Sequence, residues 1–132
     1  MAKRKIDPSI WDQLSTLAWK ARENASIFGK TKVGCSLITE TGAIYTGCNC
    51  EHIYRSHDIH AEVNAISNMI VNGEKKFIAI LIVAERDFFT PCGSCMDWIM
   101  QHGIEECLVA FENKENKRVI YSSKELMPFY PR

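Results

Sequence analysis

Two short stretches of this chain combine residues that bind a metal ion with one that moves protons: His60-Ala61-Glu62 and Pro91-Cys92-Gly93-Ser94-Cys95. Cys92 and Cys95 stand three apart at the start of a predicted helix, so both sulfurs project from one face of its first turns and can share an ion. The exposed amides of a helix N-terminus also favour the thiolate, which is the ligating form. Alone this pair is ambiguous, since CxxC serves as a redox pair or as half of a structural zinc knuckle. His60 narrows the choice. It also lies near a predicted helix start, separated from the cysteines by a single predicted strand, so the two helix N-termini can meet. One imidazole and two thiolates give zinc three protein ligands and leave a tetrahedral position for water, the arrangement of catalytic sites. The ligand charges sum to that of the ion, and water at such a centre is acidified toward neutrality. Glu62 is placed to accept that proton and to deliver protons to the reacting group and its leaving group. The competing reading is a closed structural site with Cys35, Cys48, Cys50 or Cys107 as fourth ligand and Glu62 a bystander. Otherwise those cysteines read as small apolar strand residues, and His52, His57 and His102 as surface or hydrogen-bonded histidines.

The elements that must position these residues follow from hydrophobic periodicity and punctuation. Asp7-Pro8 pairs an N-cap with proline at the first helical position, and Ile10, Leu14, Leu17, Ala18 and Ala21 then recur at helical spacing, predicting a helix over about 8–25. Residues 33–39 and 43–48 read as strands joined by Glu40-Thr41-Gly42 in a tight hairpin. A helix is expected from about Ile59 to Val71, ended by Asn72-Gly73. Residues 77–84, FIAILIVA, form an unbroken apolar run of the kind found in central strands buried on both faces. Thr90-Pro91 reads as a second cap-and-proline pair opening the helix that carries both cysteines and ends at Gly103. Strands are expected at Cys107–Phe111 and Val119–Tyr121, with Ser123 capping a last helical turn. The fold class is therefore α/β: a three-layer α/β/α sandwich around a mixed sheet of about five strands.

Composition bounds the partners. The chain has 132 residues, 46% hydrophobic and 24% charged, enough for one domain spanning 1–132 with its own core. Sixteen Lys and Arg balance sixteen Asp and Glu, which leaves no global field to gather nucleic acid. The basic start Lys3-Arg4-Lys5 reads as a solvated tail without function. No apolar run is long enough for a membrane span, and no h-region follows the basic start, so a cytoplasmic location is expected. In that setting the six cysteines are expected to be reduced thiols and metal ligands.

His-x-Glu followed by Pro-Cys-x-x-Cys is the signature of zinc nucleobase deaminases, and from about Val33 to Phe129 the chain resembles the cytidine deaminase family. GCNCEH at 47–52 is similar to the family's GCNVEN stretch, VGCSLITETGAIYTG to its strand and hairpin, and ELMPFYP to its C-terminal segment. The resemblance implies that Asn49 and Glu51 hold sugar hydroxyls, and that subunits assemble as a dimer or tetramer in which PFYP completes a neighbour's pocket. HAEVNAI resembles the deoxycytidylate deaminases, where the small nucleoside enzymes carry CAER; Val63 in place of the Arg is consistent with a neutral His60 as ligand. His52 is similar to the blasticidin S deaminases. Thr31 stands where the family has an aromatic residue, so ring stacking has to come from elsewhere; Phe28 and Trp98 are the candidates for an aromatic face, though such residues are more often plain core. The implied reaction is zinc-dependent hydrolysis of the C4 amine of cytidine or deoxycytidine, giving ammonia and uridine or deoxyuridine. Alternatives are a modified cytosine nucleoside or nucleotide on the same chemistry and, from another class, a noncatalytic zinc-binding interaction protein.

Overall fold

The computed structural model describes residues 5–131; Lys3 and Arg4 of the basic start lie outside them. The elements run α1 (Pro8–Arg22), β1 (Val33–Thr39), β2 (Ile44–Cys48), a 3-10 turn at Arg55–His57, α2 (Ala61–Val71), β3 (Phe77–Ala84), α3 (Gly93–His102), β4 (Gly103–Glu112), β5 (Arg118–Ser122) and α4 (Ser123–Leu126). The five strands form one sheet in the order β2-β1-β3-β4-β5. Pairing is antiparallel except between β3 and β4, which α3 connects as a parallel crossover. No helix among the described residues is long and apolar enough to cross a membrane.

Alternation along β3 explains its unbroken apolar run. Ile80, Ile82 and Ala84 pack with Ala65, Ile66 and Met69 of α2 and Met96 and Ile99 of α3, whereas Ala79, Leu81 and Val83 pack with Trp11, Leu14 and Ala18 of α1. The expected three-layer α/β/α sandwich thus has α1 alone on one face. Two glycines set the layer spacing on the β1–β2 side. A Cβ on Gly34 would lie 2.1 Å from the Ala18 carbonyl oxygen of α1, and one on Gly47 would lie 2.4 Å from the Ala65 nitrogen of α2. No side chain fits between these backbones, so glycine lets each helix rest on its strand.

The boundaries differ from the sequence expectation in five places. The first helix ends at Arg22, capped by Glu23, not near 25. The second begins at Ala61 rather than Ile59, because Ile59 exchanges two 2.8 Å backbone hydrogen bonds with Cys50 and is held extended. Thr90-Pro91 does not open α3: Cys92 is the N-cap and Gly93 the first helical residue. β4 starts at Gly103 and bends at Glu106, whose φ is 55°, where its register against β3 slips. The last turn is capped by Ser122 in a capping box with Glu125, not by Ser123.

Candidate metal centre and cleft

His60 is the N-cap of α2 and Cys92 the N-cap of α3, and neither side chain bonds back to its own helix. Both turn instead toward the gap between the two helices. His60 Nδ1 lies 3.4 Å from Cys92 Sγ and 3.3 Å from Cys95 Sγ. These three are the group among the described residues whose ligand atoms lie close enough together, within 4.8 Å, to hold a metal ion. A tetrahedral zinc about 2.3 Å from sulfur and about 2.0–2.1 Å from nitrogen would set such a nitrogen and sulfur about 3.5 Å apart. The two nitrogen–sulfur separations therefore fit the ion. Cys35, Cys48, Cys50 and Cys107 do not join the group: Cys35 and Cys107 are buried in the core, and the Cys50 thiol faces the Cys48 carbonyl at 3.7 Å. The closed structural site weighed from sequence is thus not formed.

The helix that carries His60 and Glu62 is tied down where it meets the sheet. Asn64 Oδ1 accepts from the Cys48 amide at 2.9 Å, and Gly47 lets the α2 backbone approach. Glu62 itself is buried, at 3% exposure, yet lines the cleft. Burial pushes its carboxyl above the usual range, opposed by its own backbone N–H, the nearby His60 and the Cys95 thiol. Cys95 is also raised, first by burial and then by the negative neighbours Glu62 and Cys92. A bound cation reverses that preference and deprotonates a coordinating thiol.

The cleft beside these residues has a volume of about 240 Å³, below the roughly 300–1,000 Å³ of drug-sized ligand sites. Asn49 and Glu51 both line it, but each is already engaged. Asn49 Oδ1 accepts from the Val33 amide and its Nδ2 donates to the Thr31 carbonyl, both at 2.9 Å. An amide has two lone pairs and two N–H groups, so one acceptor and one donor site remain. Glu51 Oε1 accepts from the Gly29 and Phe28 amides at 2.7 Å, and its Oε2 lies 3.1 Å from Arg55. Those two amides, with Arg55, hold its carboxyl below the usual range.

Sequence reading missed Arg55, Asp58, Arg86 and Phe89, which also line the cleft. Arg55 bridges Glu51 and Asp58, at 3.1 and 2.8 Å, and its position four residues after Glu51 was the available signal. The aromatic expectation needs correcting. Trp98 stacks on His102 at the surface of α3, and Phe28 contributes its amide to Glu51 with its ring exposed. Phe89, leaning on Phe111 with centroids 5.8 Å apart, is the ring that lines the cleft. Thr31 lines it as well, whereas His52 accepts from the Tyr54 amide and donates its own amide to Asp58 outside it.

Residues 9–111 match the sequence model of the cytidine and deoxycytidylate deaminase zinc-binding region. Among curated proteins, a cytidine deaminase of Sporosarcina psychrophila is 37% identical over 84 residues, 62% of this chain and 62% of that protein. A probable cytidine deaminase of Dictyostelium discoideum is 34% identical over 74 residues, 54% of this chain and 50% of that protein. The chain thus spans between half and two thirds of the length of these two relatives. The crystal structure of a cytidine deaminase from Burkholderia pseudomallei superposes with a TM-score of 0.87 at 28% identity, covering 91% of this chain and 98% of that one.

Proposed function

This chain belongs to the cytidine and deoxycytidylate deaminase family, and from that membership we propose that it hydrolyses the C4 amine of a free cytosine nucleoside, cytidine or deoxycytidine, releasing ammonia. The observation that carries the reading is the meeting of His60, Cys92 and Cys95 in ligand geometry at a small cleft lined by the buried Glu62. In this reading His60 Nδ1 and the two sulfurs hold zinc. When bound, zinc supplies the Lewis acidity that makes water a nucleophile near neutral pH.

The protein's own groups do the remaining work. Glu62 takes a proton from the attacking water and delivers protons to the ring nitrogen and to the departing amine. Its burial, which raises its pKa in the metal-free protein, leaves a carboxyl that can hold a proton as well as release one. Asn49 and Glu51 use their remaining hydrogen-bonding capacity for the sugar hydroxyls. The Gly29 and Phe28 amides fix the Glu51 carboxylate, so it is oriented before substrate arrives. Phe89 gives the base an apolar wall.

One domain carries this chemistry, and we place it in the cytoplasm, where a reducing environment keeps Cys92 and Cys95 available as ligands. The protein works as a homo-oligomer, a reading supported by the exposed apolar side chains Phe28, Ile53, Tyr54, Phe88 and Phe129, which a second copy could cover. The direct test follows ultraviolet loss of the cytosine chromophore with cytidine and deoxycytidine, alongside metal content. A single zinc per chain with nucleoside turnover is expected; a zinc-loaded protein that turns over no cytosine compound contradicts the reading.

A further inference from the structure

The loop that leads from β2 to α2 brings Glu51, Arg55 and Asp58 to the cleft. Its base is clamped where Cys50 and Ile59 exchange two 2.8 Å backbone hydrogen bonds. Between these residues Ile53 and Tyr54 are exposed, so apolar burial gives the loop little of its shape and polar contacts must supply it. Asp58 supplies one half: its Oδ1 accepts from the His52 amide at 2.7 Å and its Oδ2 from Arg55 Nε at 2.8 Å. Arg55 supplies the other, its Nη2 lying 3.1 Å from Glu51 Oε2. One planar guanidinium thus spans two carboxylates whose side chains are each 11% exposed, while its own is 56% exposed.

The two oxygens of Glu51 are not equivalent. Oε1 accepts from both the Phe28 and the Gly29 amide at 2.7 Å, which occupies its two lone pairs. Oε2 is the oxygen left to receive a hydroxyl, and Arg55 is its ion-pair partner. With Oε1 anchored, the carboxylate can still turn about that anchor; a rigid fork tied at its other edge to Asp58 stops the turn. We infer that Arg55 is a positioning residue for sugar recognition: it sets Oε2 of Glu51 toward a substrate hydroxyl, with Asp58 as the strut that holds the guanidinium. The inference rests on the deamination reading, with Glu51 as the sugar ligand, and adds two residues to it. An ion pair made by a half-exposed arginine contributes little to stability, so Arg55 can be removed with the fold intact and its effect read in substrate binding.

The test compares zinc-loaded wild type, Arg55→Ala and Arg55→Lys on cytidine and on 2′,3′-dideoxycytidine, which lacks both ring hydroxyls of the sugar. Arg55→Ala should raise KM for cytidine about five- to tenfold, part of the loss expected for a hydrogen bond to a charged group. Zinc content and kcat should stay close to wild type, the signature of lost uniform binding. Arg55→Lys should fall between the two, because a single ammonium reaches one carboxylate but does not span both. On 2′,3′-dideoxycytidine, where Oε2 has no hydroxyl to receive, wild type and Arg55→Ala should have the same KM. The Arg55 effect on cytidine should also vanish in a Glu51→Gln background. An unchanged KM for cytidine in Arg55→Ala, an equal loss on the dideoxy compound, or a loss that persists without the Glu51 carboxylate overturns the inference. Calorimetric binding of both compounds separates it from the underlying reading. Hydroxyl-dependent weakening of binding in Arg55→Ala, with no turnover by wild type, overturns deamination and keeps the positioning role; turnover of cytidine with binding indifferent to Arg55 does the reverse.

Discussion

Two carboxylates are buried on opposite faces of the sheet, and their surroundings differ. Glu112, at the end of β4, is fully enclosed and saturated: Ser15 donates to Oε1 at 2.5 Å, the Trp19 indole at 2.9 Å, and Arg118 Nε donates to Oε2 at 2.9 Å. Arg118 continues to Asp12 at 3.1 Å, so the network pins α1 to β4 and β5. Glu62 is almost as buried but has no arginine or lysine ion-pair partner among the described residues, and it borders a cleft. A satisfied buried acid holds a fold together; one left without a full complement of partners stays available for protons to come and go.

That contrast can be broken from the site side first, where the largest effect is expected. Cys95→Ala should remove zinc and cytidine turnover together, by well over the roughly 10–100-fold that loss of an outer-shell partner costs a metal site. Metal analysis beside the chromophore assay checks it; retained zinc with full turnover would contradict the ligand assignment. On the other face, Glu112→Ala should lower unfolding free energy by about 3 kcal/mol, because it strands Arg118 and the Trp19 indole. Turnover per folded molecule should remain, and denaturant melts with activity measured on the same samples separate the two effects.

The raised pKa of Glu62 gives a sharper form of the comparison. In metal-free protein, ionising this carboxyl inside the fold is unfavourable. Its stabilising share is therefore complete below its ordinary pKa of 4.5 and is lost as pH rises through the higher folded value. Chelated Glu62→Gln should match wild type in acid and melt at higher temperature above neutrality. A variant that is less stable than wild type at pH 8 would mean Glu62 is held by partners, as Glu112 is. The smallest effect belongs to Ser15→Ala, about 1 kcal/mol of stability by thermal melting, since Trp19 and Arg118 still satisfy Glu112.

The two regions were also unequally legible in the sequence. His60, Glu62, Cys92 and Cys95 could be read because metal ligands at helix starts carry fixed spacings, and β3 because a strand packed on both faces shows an unbroken apolar run. The Glu112 network was not legible: Ser15 and Glu112 are 97 residues apart, and no local pattern joins them. Arg86 and Phe89 escaped for a different reason, since loop residues have no periodicity to reveal which way they face. Asn49 was found, but its amide also braces the entry to β1 through Thr31 and Val33. The start of α3 was misplaced because proline suited the first helical position, while the geometry needed Cys92 there as the cap, its sulfur turned toward His60.

The most direct measurement is zinc content and cytidine turnover, side by side, for wild type and Glu62→Gln. Equal zinc in both proteins is expected, with turnover in the variant lower by about 10²–10⁴-fold, the contribution of a positioned acid and base. A zinc-loaded Glu62→Gln protein that deaminates cytidine as fast as wild type would contradict the assignment of proton transfer to this residue.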